Sequence, residues 1–141
     1  VRDFTWNLFA AHYIEMVKGR AYDDRPGHGS ALYTLHKCFS TLLLLLAPLT
    51  PFIAEELWKM YSGQSVHSQA MPAQLGADAE MRKLTKAVTD FNSLVWNKKK
   101  ETISKETGKP LSLKDPIDMP VPDELTPFAS DLATMHNLAK K

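Results

Sequence analysis

The chain has 141 residues, 44% of them hydrophobic, enough for one domain with a packed core, and this excludes intrinsic disorder as its main state. Seventeen Lys and Arg stand against sixteen Asp and Glu, and the resulting net charge of +1 excludes a chain that coats nucleic acid or membrane by bulk electrostatics. Any such partner has to be held by a local patch.

From Asp3 to about Tyr22, the residues Trp6, Phe9, Ala10, Tyr13 and Val17 recur every three or four positions and predict an amphipathic helix, whose stripe Phe4 and Leu8 widen. The chain starts at Val1, within what already reads as a helix, with no Met, no basic leader and no small-residue cleavage site, which suggests a fragment of a longer protein. The segment Asp23–Gly29 concentrates turn formers around Pro26 and predicts an exposed loop between antiparallel helices, with His28 as a loop residue. Ser30 is expected to cap the second helix, in which Leu32, Leu35, Phe39, Leu42, Leu43 and Leu46 keep helical spacing. Its longest unbroken apolar run, Leu42–Ala47, falls well short of the roughly 20 residues of a bilayer span, so a buried central helix is predicted.

Pro48 should end or kink that helix, and Thr50-Pro51 supplies a cap residue with Pro at the first position of a third helix reaching about Tyr61. Ser62-Gly63 closes it, and the connector that follows has one faintly extended stretch, Ser65-Val66-His67. Asp78 is the expected cap of a long helix with Met81, Leu84, Val88, Phe91 and Val95 along its packed seam. After Gly108, Pro110, Pro116, Pro120, Pro122 and Pro127 leave room only for extended pieces around Leu111–Leu113 and Ile117. Thr126-Pro127 then predicts a short terminal helix carrying Phe128, Leu132, Met135 and Ala139.

Little in this pattern carries chemistry. Cys38 is the one cysteine, so no intramolecular disulfide can form; it reads as a small core residue and points to a reducing, cytoplasmic location. No pair among the five histidines and Cys38 places two ligands on one helix turn, so no metal site is expected, and His12, His36 and His136 read as helix-surface or hydrogen-bonded core residues. Gly27-His28-Gly29 follows a helix and lacks the third glycine of a dinucleotide turn, which argues against a nucleotide site. Glu55 and Glu56, adjacent on a helix and so pointing about 100° apart, read as solvated helix-start charges rather than an acid and base pair.

Charge placement is the informative feature. Between Met81 and Lys109 eight basic residues face Asp90, Glu101 and Glu106, so this segment carries +5 and the remainder −4. Such an arm can neutralise phosphates, and Trp96 beside Asn97 can stack on and read an unpaired base. The candidate contacts are Arg82, Lys86, Trp96, Asn97, Lys98, Lys99 and Lys100. The competing reading is a solvated helix end with Trp96 in the core.

Trp6-Asn7-x-Phe9-x-x-x-Tyr13-Ile14-Glu15, and Leu45-Leu46-Ala47-Pro48-Leu49-Thr50-Pro51-Phe52-Ile53-Ala54-Glu55-Glu56-Leu57-Trp58, resemble the anticodon-binding region of class I aminoacyl-tRNA synthetases. Ser65-Val66-His67 and Phe91-Asn92-Ser93-x-Val95-Trp96 with Lys98 resemble the archaeal type of the valyl branch, so the resemblance covers most of the chain in order. Met71-Pro72 stands where relatives usually have Trp-Pro.

Together with the periodicities, the resemblance implies an all-α antiparallel helical bundle over residues 1–109, lacking the family domain's first helix. Residues 110–141 are then a proline-rich, partly extended appendage with a terminal helix. The missing helix would leave an apolar groove open, or filled by a second copy of the chain. The implied partners are valine tRNA and the remainder of the synthetase chain, with no membrane and no metal; ATP and Mg2+ are implied for a catalytic domain elsewhere. Its His-x-Gly-His and Lys-Met-Ser-Lys-Ser motifs are absent here, and Ile103-Ser104-Lys105-Glu106-Thr107 shares only a Ser-Lys pair with the latter.

Trp6, Phe9, Tyr13, Phe52 and Trp58 are expected in the core, with Trp6→Ala costing roughly 3–5 kcal/mol. The alternatives are the same domain from an isoleucyl or leucyl relative, or a helical protein-interaction module, since all-α bundles host many functions. An autonomous enzyme is disfavoured because no nucleophile, base and orienting group come together.

Overall fold

A computed structural model of the chain describes residues 1–23, 26–73, 76, 78–104 and 108–139. The predicted first helix exists in two geometries. Phe4–Tyr13 winds as a wide π-helix, with the Ile14 N–H reaching back to the Phe9 carbonyl, and runs unbroken into α1, Ile14–Tyr22. The wide turn files Phe4, Phe9 and Tyr13 nearly parallel, with ring centroids 6.1 and 5.9 Å apart. It also carries Trp6 further round from Phe9 than an α-helix would, leaving Trp6 74% exposed, which corrects its expected place in the core. Trp6→Ala is therefore expected to change folding stability by less than about 0.5 kcal/mol, as read by urea denaturation.

Gly27, left-handed at φ 89, precedes α2, His28–Leu46, so this helix starts two residues before the predicted cap. Ser30 instead donates its hydroxyl to the Gly27 carbonyl at 2.9 Å. His28, expected in a loop, sits in the first turn and donates from Nδ1 to the Arg20 carbonyl at 2.9 Å. Among the described residues α2 is the one helix long and apolar enough to cross a bilayer. The expected buried central helix is corrected, because among its residues only Ala31, Leu42 and Leu43 are buried: Ala31 belongs to a core shared with α1, and Leu43 to a second core joined by Ala47 just past the helix end.

Pro51 occupies the first turn of α3, Pro51–Ser62, and left-handed Gly63 ends it, as predicted. Thr50 does not cap through its side chain; its hydroxyl donates back to the Leu46 carbonyl at 3.2 Å. The second core takes Ala54 and Trp58 from α3. Phe52 and Trp58, six positions apart, point about 120° away from each other, so Phe52 stays outside, 87% exposed, where the sequence suggested burial. Ile53 and Met60 of the same helix are exposed too, as is Leu49 in the turn before it.

Ser65-Val66-His67 is not extended. Val66–Ser68 forms a 3-10 turn and Val66 is buried against α3. Glu55 holds this turn in place: its Oε2 accepts from the Ser65 hydroxyl at 3.0 Å and the Val66 N–H at 2.9 Å, and Lys59 lies 3.0 Å from Oε1. Burial opposes its ionisation, but the Lys59, Val66 and Ser65 hydrogen bonds outweigh it and keep the carboxyl below the ordinary value. Glu55 is thus a partnered anchor rather than the solvated charge expected, whereas Glu56 is exposed.

Asp78 caps α4, Ala79–Glu101, through Oδ1, which accepts from the Glu80 N–H at 2.9 Å and the Met81 N–H at 3.1 Å. Val88, Phe91 and Val95 of its predicted seam pack with Met16 and Val17 of α1 and with Ile117, Leu125 and Leu132. The C-terminal residues therefore share the main core. A 3-10 turn, Asp123–Phe128, leads into α5, Ala129–His136, so Pro127 lies in that turn rather than at the helix start, and left-handed Asn137 ends the helix before Ala139. Arg20 grips Asp131 with two parallel bonds of 2.9 and 2.8 Å, fixing α5 to α1. Among the described residues there is no strand; the extended pieces make two isolated bridges, Ile103 with Pro110 and Ile117 with Leu138. An apolar cleft of about 310 Å³ lies between the first helix, α2 and α4, lined by Phe4, Phe9, Tyr13, Leu84 and Val88.

Candidate nucleic-acid interface

The basic residues of α4 form two groups rather than one. At 1.5 Å of rise per residue, Arg82 and Lys100 lie about 27 Å apart along the axis. Arg82 is exposed near the amino end, and Lys86 is exposed but pairs with Asp90 one turn on. At the carboxyl end Lys98 and Lys100 are exposed, as is Asn97.

Lys99 departs from its neighbours. Positions 88, 91, 95 and 99 fall on one helix face, so the seam that buries Val88, Phe91 and Val95 carries Lys99 inward as well. Its ammonium is fully buried and donates to the carbonyls of Leu113 at 2.7 Å, Asp115 at 2.7 Å and His136 at 2.8 Å. All three N–H bonds are used, and the His136 carbonyl lies at the negative end of α5. Burial pulls the Lys99 pKa below the ordinary lysine value, opposed by the nearby Asp115. The structure therefore removes Lys99 from the candidate phosphate contacts.

Trp96 is half-buried. One face stacks on His12, centroids 5.3 Å apart at 25°, and an edge meets His136 at 5.9 Å and 69°. Beneath it lies a polar relay. His136 donates from Nε2 to Asn92 Oδ1 at 2.7 Å, and the Asn92 amide donates to His12 Nδ1 at 3.1 Å. Asn92 and His136 are buried, and the relay joins the first helix, α4 and α5. Burial first, then the charges of Lys99 and His12, lowers the His136 pKa to about 4, so its imidazole is neutral at pH 7. Burial likewise lowers that of His12. Of the earlier readings, hydrogen-bonded core fits His12 and His136, while His36 is exposed beside the Tyr61 ring.

Sequence reasoning met Asn92 only inside a family-like motif, with no role given to it, and did not single out Lys114. Lys114 is exposed at a tight turn in which the Asp115 N–H donates to the Ser112 carbonyl at 3.2 Å and the Ser112 N–H to Asp115 Oδ2 at 2.7 Å. A seam read one turn beyond Val95 would have flagged Lys99, whereas the relay joins residues 80 and 44 positions apart and left no local signal. Among the described residues no three His, Cys, Asp or Glu side chains gather as metal ligands. Gly27 and Gly29 stand at the start of α2, with Gly27 next to the Arg20 side chain.

Set on this all-α frame, the comparisons with known proteins define the class. The family model described as "Anticodon-binding domain of tRNA ligase" matches residues 1–114, and the chain belongs to that family, within the class I tRNA ligases. It is 31% identical over 147 residues to the valine–tRNA ligase of Aeropyrum pernix, which covers 99% of this chain and 17% of that protein. It is 51% identical over 74 residues to the valine–tRNA ligase of Methanosarcina barkeri, covering 52% of this chain and 8% of that protein. With the valine–tRNA ligase of Tropheryma whipplei it shares 36% identity over 129 residues, 92% of this chain and 14% of that protein. The chain thus spans a sixth or less of these relatives' lengths. No solved structure gives a significant match.

Proposed function

We propose that this chain is the anticodon-binding domain of a valine–tRNA ligase and that it grips the anticodon stem and loop of valine tRNA. A catalytic domain elsewhere in the same cytoplasmic ligase would join valine to that tRNA, using ATP and Mg2+. The observation that carries this reading is the family match over residues 1–114 together with relatives named valine–tRNA ligase along 92–99% of the chain. The all-α architecture and the exposed cations of α4 accord with it: Arg82, Lys98 and Lys100 would position the backbone while Asn97 and the free edge of Trp96 would face unpaired bases.

The exposed apolar residues Leu49, Phe52, Ile53 and Met60 favour a protein partner as well. In the present reading that partner is the remainder of the ligase polypeptide, most of which lies outside this chain.

Titration of the chain with valine tRNA, an anticodon-changed version and an unrelated tRNA, each at two salt concentrations, tests the proposal. Salt-sensitive binding that prefers the valine anticodon is the expected result. Equal weak binding to all three would restrict the domain to electrostatic positioning. Absence of binding at low salt would leave protein docking as the function of the exposed faces.

A further inference from the structure

We infer that the buried Lys99 ammonium builds a phosphate-binding edge from exposed lysines on two segments, Lys98 and Lys100 of α4 and Lys114 of the turn after it. This inference rests on the tRNA-binding reading above and names the surface and the part of the RNA that meets it.

The geometry is constrained from both sides. Lys99 points into the core, so its chain neighbours Lys98 and Lys100 leave the helix about 100° to either side of it, toward solvent. The carbonyls of Leu113 and Asp115 both close on the Lys99 ammonium at 2.7 Å, and Lys114 lies between them in sequence. With both flanking carbonyls bound to Lys99, the Lys114 backbone is held at the carboxyl end of α4, and its side chain is exposed. The turn is itself rigid: the Lys114 N–H donates to Ser112 Oγ at 3.3 Å, and Asn137 at the end of α5 donates from its side-chain amide to the Lys114 carbonyl at 3.0 Å.

The neighbouring Asp115 keeps its charge, with Oδ2 accepting from the Ser112 N–H at 2.7 Å, but that charge is balanced by the buried Lys99 ammonium, with which it interacts. Glu101 is exposed one position beyond Lys100. Three mobile ammonium groups on fixed backbones suit a row of phosphates, whose spacing a nucleic-acid strand fixes and whose sequence they do not read. Lys99 is a positioning residue in this arrangement and touches no phosphate.

The test is the salt dependence of valine tRNA binding by the 141-residue chain and three variants. Each phosphate contact contributes close to one unit to the slope of log affinity against log salt, so Lys114→Ala and Lys98→Ala are each expected to reduce that slope by about one. Both side chains are exposed, and circular dichroism should show both variants folded as the unaltered chain is. Lys99→Met removes no exposed charge, yet it is expected to lower the slope by up to about one, the contribution of Lys114, because the turn no longer holds Lys114 beside α4. An unaltered slope in Lys114→Ala would take the turn out of the interface and overturn the inference even if Lys99→Met failed to fold. Folded Lys99→Met with the slope of the unaltered chain would overturn the positioning role. Failure of the unaltered chain to bind tRNA would overturn the reading beneath it, a result distinct from either.

Discussion

Replacing Lys99 by Met is expected to remove about 3–5 kcal/mol of folding stability, a loss of the size seen when one partner of a buried charge-assisted network is deleted. Methionine preserves most of the volume and the apolar stem, so lost packing is a minor part of the effect. What it deletes is the ammonium on which the Leu113, Asp115 and His136 carbonyls converge. Those carbonyls belong to the turn after α4 and to the end of α5, and without a donor they must either stay buried and unpaired or pull away from α4 toward water. The thermal midpoint should fall by roughly 10–20 °C for a domain of this size. Lys98→Met, one residue away and exposed, is expected to change stability by less than about 0.5 kcal/mol. Equal small losses from the two variants in chemical denaturation would show that the three-carbonyl cage contributes little to the fold.

The contrast between these adjacent lysines shows what is legible in the sequence. The Val88, Phe91 and Val95 seam could be read because apolar residues at intervals of three and four have one interpretation, and the capping by Asp78 and the stop at Gly63 follow from local backbone chemistry alone. The same periodicity continues to Lys99, but a residue type that is rarely buried overrode it in a reading based on charge counts. Trp6 and Phe52 erred in the opposite direction. The helical spacing of these aromatics suggested a core, while the π-helical turn at Trp6 and the offset of Phe52 from Trp58 turn both outward. Glu55 looked like a helix-start charge because its partners Ser65 and Val66 lie ten and eleven residues on, beyond the reach of any helical rule. Long-range polar pairings have no period, so the site's scaffold was visible while the contacts that orient it were not.

Acidification from pH 6.5 to about pH 4 is expected to remove about 3 kcal/mol of stability through His136 alone. Its imidazole has a pKa near the ordinary 6.5 when unfolded and about 4 in the fold, lowered by burial and by the charges of Lys99 and His12. Between those two values the unfolded chain binds the extra proton and the folded chain does not. Stability is therefore full above pH 6.5 and declines by up to 1.4 kcal/mol per pH unit as the pH falls toward 4. His12, lowered in the same direction by burial, adds to the slope, so the diagnostic quantity is a difference between proteins. His136→Gln keeps an N–H donor for Asn92 Oδ1 and has no titration in this range; it should lose much less stability than the unaltered chain between pH 6.5 and 4 in parallel urea titrations. The charge coupling supplies a second arm. A folded Lys99→Met variant removes one of the cations that hold the His136 proton off, so its decline should still begin near pH 6.5 but level off at a higher pH, with a smaller total loss. Parallel pH profiles for the unaltered chain and His136→Gln would show that this buried imidazole is not what makes the fold acid-sensitive, and the loss would then belong to His12, with carboxylates such as Glu55 adding to it only toward the low end of the range.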